Sequence, residues 1–202
     1  MNLFEGCKGK SLGNGLSWLN EPPEWGFDNA SKLTIVPKAV SDFFRPYQEK
    51  PNDDACLLYA KVRVDFTAVT RARAKLVAFG DAAALTVRSS ETLWAKICLE
   101  RSRIGDISVV SVVTRQWSDD SNGELLARPE CWLRVTRKGK LFGMHYSLNG
   151  FAWRFVRYFA PDMPDEVMVG VHAQAPFQGG CEAVFDCFTR APQAVADFRS
   201  GE

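Results

Sequence analysis

Three side chains that could bind or transform a sugar lie close together between Trp94 and Glu100. Side chains alternate between the two faces of a strand, so Trp94, Lys96 and Glu100 share one face, about 7 Å from one position to the next but one. A sugar stacks its C–H face on an indole ring while its hydroxyls bond to nearby polar groups. The same residues also fit an exposed ladder of salt-bridged side chains, with the Trp at the sheet edge.

A second polar and aromatic set lies in segment 131–147, whose pattern predicts two strands joined by a tight turn. Trp132 and Arg134 share one face of the first strand. A two-residue turn at positions 138 and 139 would place His145 opposite Trp132. A turn one residue longer would place Tyr146 or Met144 there, because a shift of one residue reverses the faces of a strand.

His145 could transfer protons if the hairpin places it beside Trp132, Arg134 and Glu100. A histidine held by a hydrogen bond in a cross-strand pair fits the same residues. We predict a single ligand-binding set from both segments, composed of Trp94, Lys96, Glu100, Trp132, Arg134 and His145.

Other kinds of site are weakly supported. The chain has two histidines without the spacing of metal ligands, and we interpret Asp119, Asp120 and Asn122 as a polar turn, so no metal and no cofactor are expected. A Gly-x-Ser-x-Gly elbow is absent, and the acid that a glycosidase would need beside Glu100 cannot be identified. The residues do not decide whether the protein is an enzyme.

Alternation with a period of two dominates the chain, and helical periodicity is hard to find. In segment 60–66, Ala60, Val62, Val64 and Phe66 share one face, which is typical of a strand with one face in water. Many short strands without intervening helices predict an all-β sandwich. We expect one sandwich domain over residues 1–190, followed by a loose polar tail over 191–202 that could form one short helix at most.

The composition excludes several classes of partner. A net charge of +1 gives no reason to expect nucleic acid or a charged membrane surface, and Arg71, Arg73 and Lys75 are expected to lie in a solvated loop. No apolar stretch is long enough to span a membrane, and no signal peptide is expected. The six cysteines lack metal-ligand spacing and are expected to be reduced, which predicts a cytoplasmic protein.

The order of the motifs resembles a concanavalin-A-like domain-of-unknown-function family that includes the fungal "regulation of enolase" protein. The resemblance covers nearly the whole chain. The segments that carry it include Pro22-Pro23-Glu24-Trp25, Ser41 to Pro46, Trp94 to Glu100, Trp132-Leu133-Arg134-Val135, and His145-Tyr146-Ser147 with Asn149-Gly150 and Trp153. The resemblance implies a jelly-roll sandwich of two curved antiparallel sheets, with a groove on the concave face that binds glycans in related folds. It implies no particular reaction.

Three functions are therefore open. The first is a non-catalytic protein that binds a carbohydrate, a small polyol or another small polar ligand. The second is an enzyme acting on a sugar or a sugar phosphate, with Glu100 or His145 as acid or base. The third is a regulatory protein-interaction module, which the fungal family member suggests and which a homodimer would support.

Overall fold

The structure, a computed structural model, describes residues 1–63 and 65–202. The regular secondary structure of these residues consists of β-strands, and no α-helix occurs among them. The strands are β1 (Ser17–Leu19), β2 (Glu24–Phe27), β3 (Leu33–Val36), β4 (Phe43–Phe44), β5 (Asn52–Asp53), β6 (Cys56–Arg63), β7 (Phe66–Lys75), β8 (Ala82–Ser90), β9 (Leu93–Arg101), β10 (Ile107–Arg115), β11 (Trp117–Leu125), β12 (Glu130–Lys138), β13 (Leu141–Ser147), β14 (Arg154–Phe159), β15 (Glu166–Gln174) and β16 (Glu182–Ala191). The all-β class predicted from alternation is confirmed.

The strands form two large sheets and one small ribbon. Sheet I has the order β1-β6-β15-β8-β9-β10-β11, and sheet II has the order β14-β13-β12-β7-β16-β3-β2. Each pairing between neighbouring strands in these sheets is antiparallel. Strands β4 and β5 form a separate two-stranded ribbon.

The core lies between the two sheets and follows the predicted alternation. Each buried aliphatic or aromatic side chain contributes about 1.5–3 kcal/mol relative to exposure. The inward-facing residues of the two strands that carry the predicted site are Ala95, Ile97 and Leu99 in β9 and Cys131, Leu133 and Val135 in β12. The polar residues between them must therefore point outward, on opposite sides of the sandwich.

The hairpin of β12 and β13 takes the register that puts His145 on the same face as Trp132. His145 lies directly opposite Arg134, while Met144 and Tyr146 contribute to the core. Lys138 pairs with Leu141, so Gly139 and Lys140 form the turn. Gly139 has a φ of 59°, a left-handed conformation that glycine adopts without steric cost.

Several local expectations were wrong. Arg71, Arg73 and Lys75 lie in strand β7 rather than in a loop, and the first two form ion pairs with Asp186. Asp119, Asp120 and Asn122 lie in strand β11, not in a turn. That strand lacks apolar alternation because it is the exposed edge of sheet I. The predicted strand 60–66 is divided between β6 and β7, and Val64 lies outside the described residues.

The centre of β15 requires a glycine. A Cβ atom added to Gly170 would lie 2.1 Å from the carbonyl oxygen of Leu58 in the neighbouring strand. Backbone cannot approach a side chain so closely, so a larger residue would push β15 away from β6. This strand matters because it carries two polar residues of the site, His172 and Gln174.

Residues 192–202 have no regular structure but pack against the outside of sheet II. Thr67 donates a hydrogen bond to the Gln193 carbonyl at 2.7 Å, and the amide of Val195 donates to the Thr136 hydroxyl at 3.2 Å. The segment was expected to be loose, and it is instead a docked strap that contains no helix. We call this segment the tail.

All six cysteines carry free thiols. Burial raises the pKa of Cys56, Cys131 and Cys181 to about 12, so these thiols stay protonated and serve as small core residues. Within the described residues, no helix has the length and apolarity needed to cross a membrane.

Candidate functional site

The outward face of sheet I presents a regular array of polar side chains, which we call the pocket face. Antiparallel pairing places residues of neighbouring strands side by side in rows. Three such rows cross β15, β8, β9 and β10. The first row consists of Gln174, Ala82, Glu100 and Ser108, and the second consists of His172, Ala84, Cys98 and Val110. The third row consists of Gly170, Thr86, Lys96 and Val112, and Asp120 of β11 lies next to Val112. The alternation of these strands thus positions the polar groups.

Lys96 lies at the centre of this array and is only 1% exposed. Its ammonium donates to the Gln174 side-chain oxygen at 2.6 Å and to the Phe43 carbonyl at 2.8 Å, and it lies 3.4 Å from an Asp42 oxygen. Burial disfavours the charged amine, but the nearby Asp42 carboxylate outweighs it and raises the pKa of Lys96. Lys96 is therefore a fixed cation within a hydrogen-bonded network.

His172 belongs to the same network as a neutral ring. Because Lys96 can only donate, the Gln174 oxygen is an acceptor, and it also accepts from Nε2 of His172 at 2.9 Å. Nδ1 then accepts from the Thr86 hydroxyl at 2.9 Å. Burial, together with the charge of Lys96, lowers the pKa of His172 well below its ordinary value. His172 thus orients Gln174 and does not exchange protons near neutral pH.

Beside Lys96, Glu100 faces a pocket of about 210 Å³. Burial raises the pKa of Glu100 from 4.5 to about 8, against the lowering effect of Lys96, while Asp42 and Asp120 raise it further. The carboxyl group is therefore largely protonated at neutral pH and can donate a hydrogen bond. The pocket is lined by polar and aromatic residues that include Asp42, Asn52, Lys96, Glu100, Asp120, Gln174, Phe44, Phe79 and Phe177.

Two phenylalanines form an aromatic rim on this pocket. The rings of Phe79 and Phe177 are stacked with centroids 5.3 Å apart and an interplanar angle of 23°. Phe177 is 60% exposed, so one large apolar surface is open to solvent at the mouth of the pocket. Sequence reasoning missed these residues because both lie in loops, between β7 and β8 and after β15, where no period marks them.

Trp94, the predicted stacking platform, is fully buried. The ribbon of β4 and β5 covers it, since the Phe43 ring lies 6.1 Å from the indole and 5.2 Å from the His172 ring. The indole nitrogen donates to the Glu91 carbonyl at 3.1 Å. Trp94 therefore supports the pocket face from beneath the ribbon and offers no surface to a ligand.

Trp132, Arg134 and His145 lie on the opposite side of the molecule, on the outward face of sheet II, which we call the tail face. The six predicted residues therefore do not form one site. The separation follows from topology: β9 belongs to sheet I and the β12–β13 hairpin to sheet II, and both sets point away from the core. Of the six, the structure brings together Lys96 and Glu100 at the pocket.

The tail occupies the polar groups of the tail face. Arg134 donates to the Gly201 carbonyl at 2.7 Å and its guanidinium lies 4.1 Å from the centroid of Trp153. His145 donates from Nε2 to the Phe198 carbonyl at 2.6 Å. A Cβ atom on Gly201 would lie 2.7 Å from the Arg134 guanidinium, so the tail can approach this closely only with glycine there.

His145 is not paired with an acid in this arrangement. Burial lowers its pKa to about 4, since the hydrogen bond to Phe198 compensates only in part and Arg134 opposes a second positive charge. The ring is fully buried and neutral at physiological pH. Of the two interpretations of His145, proton transfer beside Glu100 is therefore excluded by position, because the two residues lie on opposite outer faces.

The candidate site also includes residues that sequence reasoning did not select. Asp42 precedes the ribbon, and Gln174 ends β15 after His172. The alternation of Gly170, His172 and Gln174 was a usable signal for a polar face. Among the described residues, no group of three His, Cys, Asp or Glu side chains is arranged to hold a metal ion.

Comparison with known proteins agrees with this fold. A family model described as "Protein of unknown function (DUF1349)" matches residues 18–193. "Regulation of enolase protein 1" from Saccharomyces cerevisiae is 29% identical over 171 residues, which is 84% of this chain and 85% of the yeast protein.

Solved structures show the same sandwich. A functionally unknown protein from Saccharomyces cerevisiae superimposes with a TM-score of 0.83 and 27% identity, over 90% of this chain and 98% of that one. The GH43 protein BlXynB from Bacillus licheniformis has a TM-score of 0.73 at 15% identity, over 95% of this chain and 39% of that one. This chain therefore corresponds to about two fifths of that larger protein, and the likeness shows the fold alone. The concanavalin-A-like, jelly-roll class inferred from the motifs is confirmed.

Proposed function

We propose that this chain, which belongs to the DUF1349 family of proteins of unknown function, binds a small carbohydrate or polyol in the pocket of sheet I without transforming it. The single observation that carries this proposal is the pairing of a polar floor, Lys96 and Glu100, with an open aromatic rim, Phe79 and Phe177.

Sugar binding needs both parts of this arrangement. The exposed ring of Phe177 offers a flat apolar surface for a C–H face, in the role first assigned to Trp94. The protonated Glu100 can donate to a hydroxyl, while Asp120 and Asn52, which also line the pocket, can accept from one. A small number of polar groups against an apolar wall is typical of small-molecule sites.

Calorimetric titration with neutral mono- and disaccharides tests the proposal. For a sugar that binds the parent protein, Phe177→Ala should weaken the affinity by about tenfold, because the stacking of a sugar ring on an aromatic side chain is worth roughly 1–2 kcal/mol. Phe151→Ala is the matched control, since Phe151 is 89% exposed but lies in the β13–β14 turn at the edge of sheet II. Equal affinity in the parent and in Phe177→Ala would contradict the assignment of the rim.

A hydrolytic function is the second candidate, and one observation favours it. Glu100 has the raised pKa of a general acid, and Asp120 lies in the same pocket. The two carboxyl groups that a glycosidase needs are thus available. Release of reducing sugar from oligosaccharides by the parent protein, and its loss in both Glu100→Gln and Asp120→Asn, would establish this function in place of simple binding.

The name of the yeast relative suggests a third role, in the regulation of enolase. For this chain, that role, a homodimer and a cytoplasmic location stay predictions.

A further inference from the structure

The pocket holds more negative than positive charge. Lys96 is the positively charged residue that lines the pocket, and an Asp42 oxygen lies 3.4 Å from its ammonium and balances its charge. Glu100 and Asp120 also line the pocket, and neither forms an ion pair with any described residue. Neither carboxyl group therefore has an ion-pair partner, although Asp120 is exposed to solvent and Lys96 lies close enough to lower the pKa of Glu100.

Arg103, a cation beside the rim, does not fill this need. Arg103 lies over the ring of Phe79 at 5.5 Å from its centroid, and it is not among the residues that line the pocket. Phe79 in turn stacks on Phe177. The rim is thus an aromatic surface that already accepts one cation on its outer ring, as the negative faces of aromatic rings do.

An unpartnered donor lies next to the acidic pair. Ser108 is 1% exposed, and its hydroxyl has no hydrogen-bond partner. It stands directly opposite Glu100 in the β9–β10 pair, on the pocket face. A buried hydroxyl without a partner is costly, so a polar group bound near Glu100 would relieve that cost, although Ser108 itself is not among the residues that line the pocket.

The protonation of Glu100 follows in part from the same excess of negative charge in the pocket. Burial raises its pKa to about 8, and the negative charges of Asp42 and Asp120 add to that effect, while Lys96 opposes it. Without a ligand, a proton neutralises the carboxyl group. A ligand cation placed at the same point would replace that proton and form a charge-assisted hydrogen bond.

From this charge balance and this rim we propose that the ligand of the pocket carries a positively charged nitrogen, as an amino sugar does, and that Glu100 and Asp120 bind it. This inference rests on the proposed function, since it specifies the class of hydroxylated ligand. It also disfavours sugar phosphates, because a phosphate beside two unpaired carboxyl groups would be repelled.

Three probes of similar size and different charge test the inference: glucosamine, glucose and glucose 6-phosphate, titrated calorimetrically at pH 6.5. The expected order of affinity is cation, neutral sugar, anion, with glucosamine at least about tenfold above glucose. Glu100→Gln should reduce that preference to about twofold, and Asp120→Asn should act in the same direction. Asp119→Asn is the matched control, because Asp119 pairs with Arg157 and is absent from the pocket lining.

Choline, whose charge does not change with pH, gives an independent readout. Its affinity for the parent protein should rise between pH 6.5 and pH 9 as Glu100 ionises, and this rise should vanish in Glu100→Gln.

The two proposals fail in different ways. Equal binding of glucose and glucosamine, with no effect of Glu100→Gln on their ratio, would overturn the inference and leave carbohydrate binding intact. Stronger binding of glucose 6-phosphate than of glucosamine would overturn it as well. Binding of none of these probes would overturn the proposed function and the inference together.

Discussion

The pocket face and the tail face carry similar groups but differ in what lies over them. On the tail face, Arg134 and His145 donate to carbonyl oxygens of the chain's own tail. On the pocket face, Lys96 is equally buried, but Glu100 beside it faces an open cavity. The chain's own tail thus covers one set of polar side chains, although Nε of Arg134 and Nδ1 of His145 have no hydrogen-bond partner there, and the cavity beside the other set is open to solvent or a ligand. Residue type alone does not distinguish a ligand-binding pocket from a surface that binds the chain's own tail.

The largest expected effect comes from breaking the charge pair under the pocket. Lys96→Met leaves Asp42 buried without its counter-charge and removes donors to Gln174 and Phe43. The free energy of unfolding should fall by about 3–5 kcal/mol, measured by urea denaturation. The double variant Lys96→Met with Asp42→Asn should recover part of this loss. A loss below about 1 kcal/mol for Lys96→Met would show that the pair is not a supporting element of the pocket.

Releasing the tail should cost less. Arg134→Gln removes the charged donor to the Gly201 carbonyl, and hydrogen bonds of this kind are worth about 1.5–3 kcal/mol. Amide exchange should accelerate in the tail, where the Gly201 amide donates to the Asp197 carbonyl, and stay unchanged in β9. Gln193→Ala is the control within the same segment, because Gln193 is exposed and contacts Thr67 through its backbone carbonyl. Unchanged tail exchange in Arg134→Gln would mean that the two faces do not differ in the way described.

The smallest expected effect is the pH dependence contributed by Glu100. Its pKa is about 8 in the folded protein and 4.5 as its ordinary value, so the folded state retains a proton that the unfolded chain releases. The free energy of unfolding should therefore fall as pH rises from about 5 to about 8. The full change in pKa would correspond to about 5 kcal/mol, but solvent at the open pocket screens this partly buried carboxyl group. The difference between the parent protein and Glu100→Gln should therefore change by on the order of 1–2 kcal/mol over this range, measured by urea denaturation at each pH.

His145 provides the contrast on the tail face. Its pKa is lowered from 6.5 to about 4, so its contribution is present above pH 6.5 and is lost as pH falls towards 4. The parent protein and His145→Asn should therefore diverge on the acidic side, and the Glu100→Gln comparison on the neutral and alkaline side. If both pairs diverged in the same pH window, the two groups would not have the opposite environments described here.

The fold was predictable because alternation is a local property. Strands such as β9 and β12, with one face in the core, show it plainly, and the outward direction of Lys96, Glu100 and Arg134 follows from it. Edge strand β11 was missed because neither of its faces is buried deeply enough to require apolar residues.

The site was only partly predictable, because the segments that cover an outward-facing side chain can come from distant parts of the sequence. The ribbon that buries Trp94 and the tail that occupies Arg134 are irregular segments distant in the chain. No period marks their position, and the sheet to which each strand belongs depends on pairings between residues far apart in sequence. Lys96 and Glu100 were identified by type and face, whereas the residues that complete their pocket, Phe79 and Phe177, come from loops.

The ribbon of β4 and β5 also limits the shape of what the pocket can admit. It is tied to sheet I by the ion pair of Arg88 with Asp53, at 2.7 and 2.8 Å, and by the bond from Lys96 to the Phe43 carbonyl. Phe43 fills the space above Trp94 and His172, while Phe44 and Asn52 of the same ribbon form one wall of the cavity. The ribbon therefore closes the cavity on one side. A polymer longer than the cavity must extend away from the ribbon, so the position of the ribbon limits how such a chain can lie on sheet I.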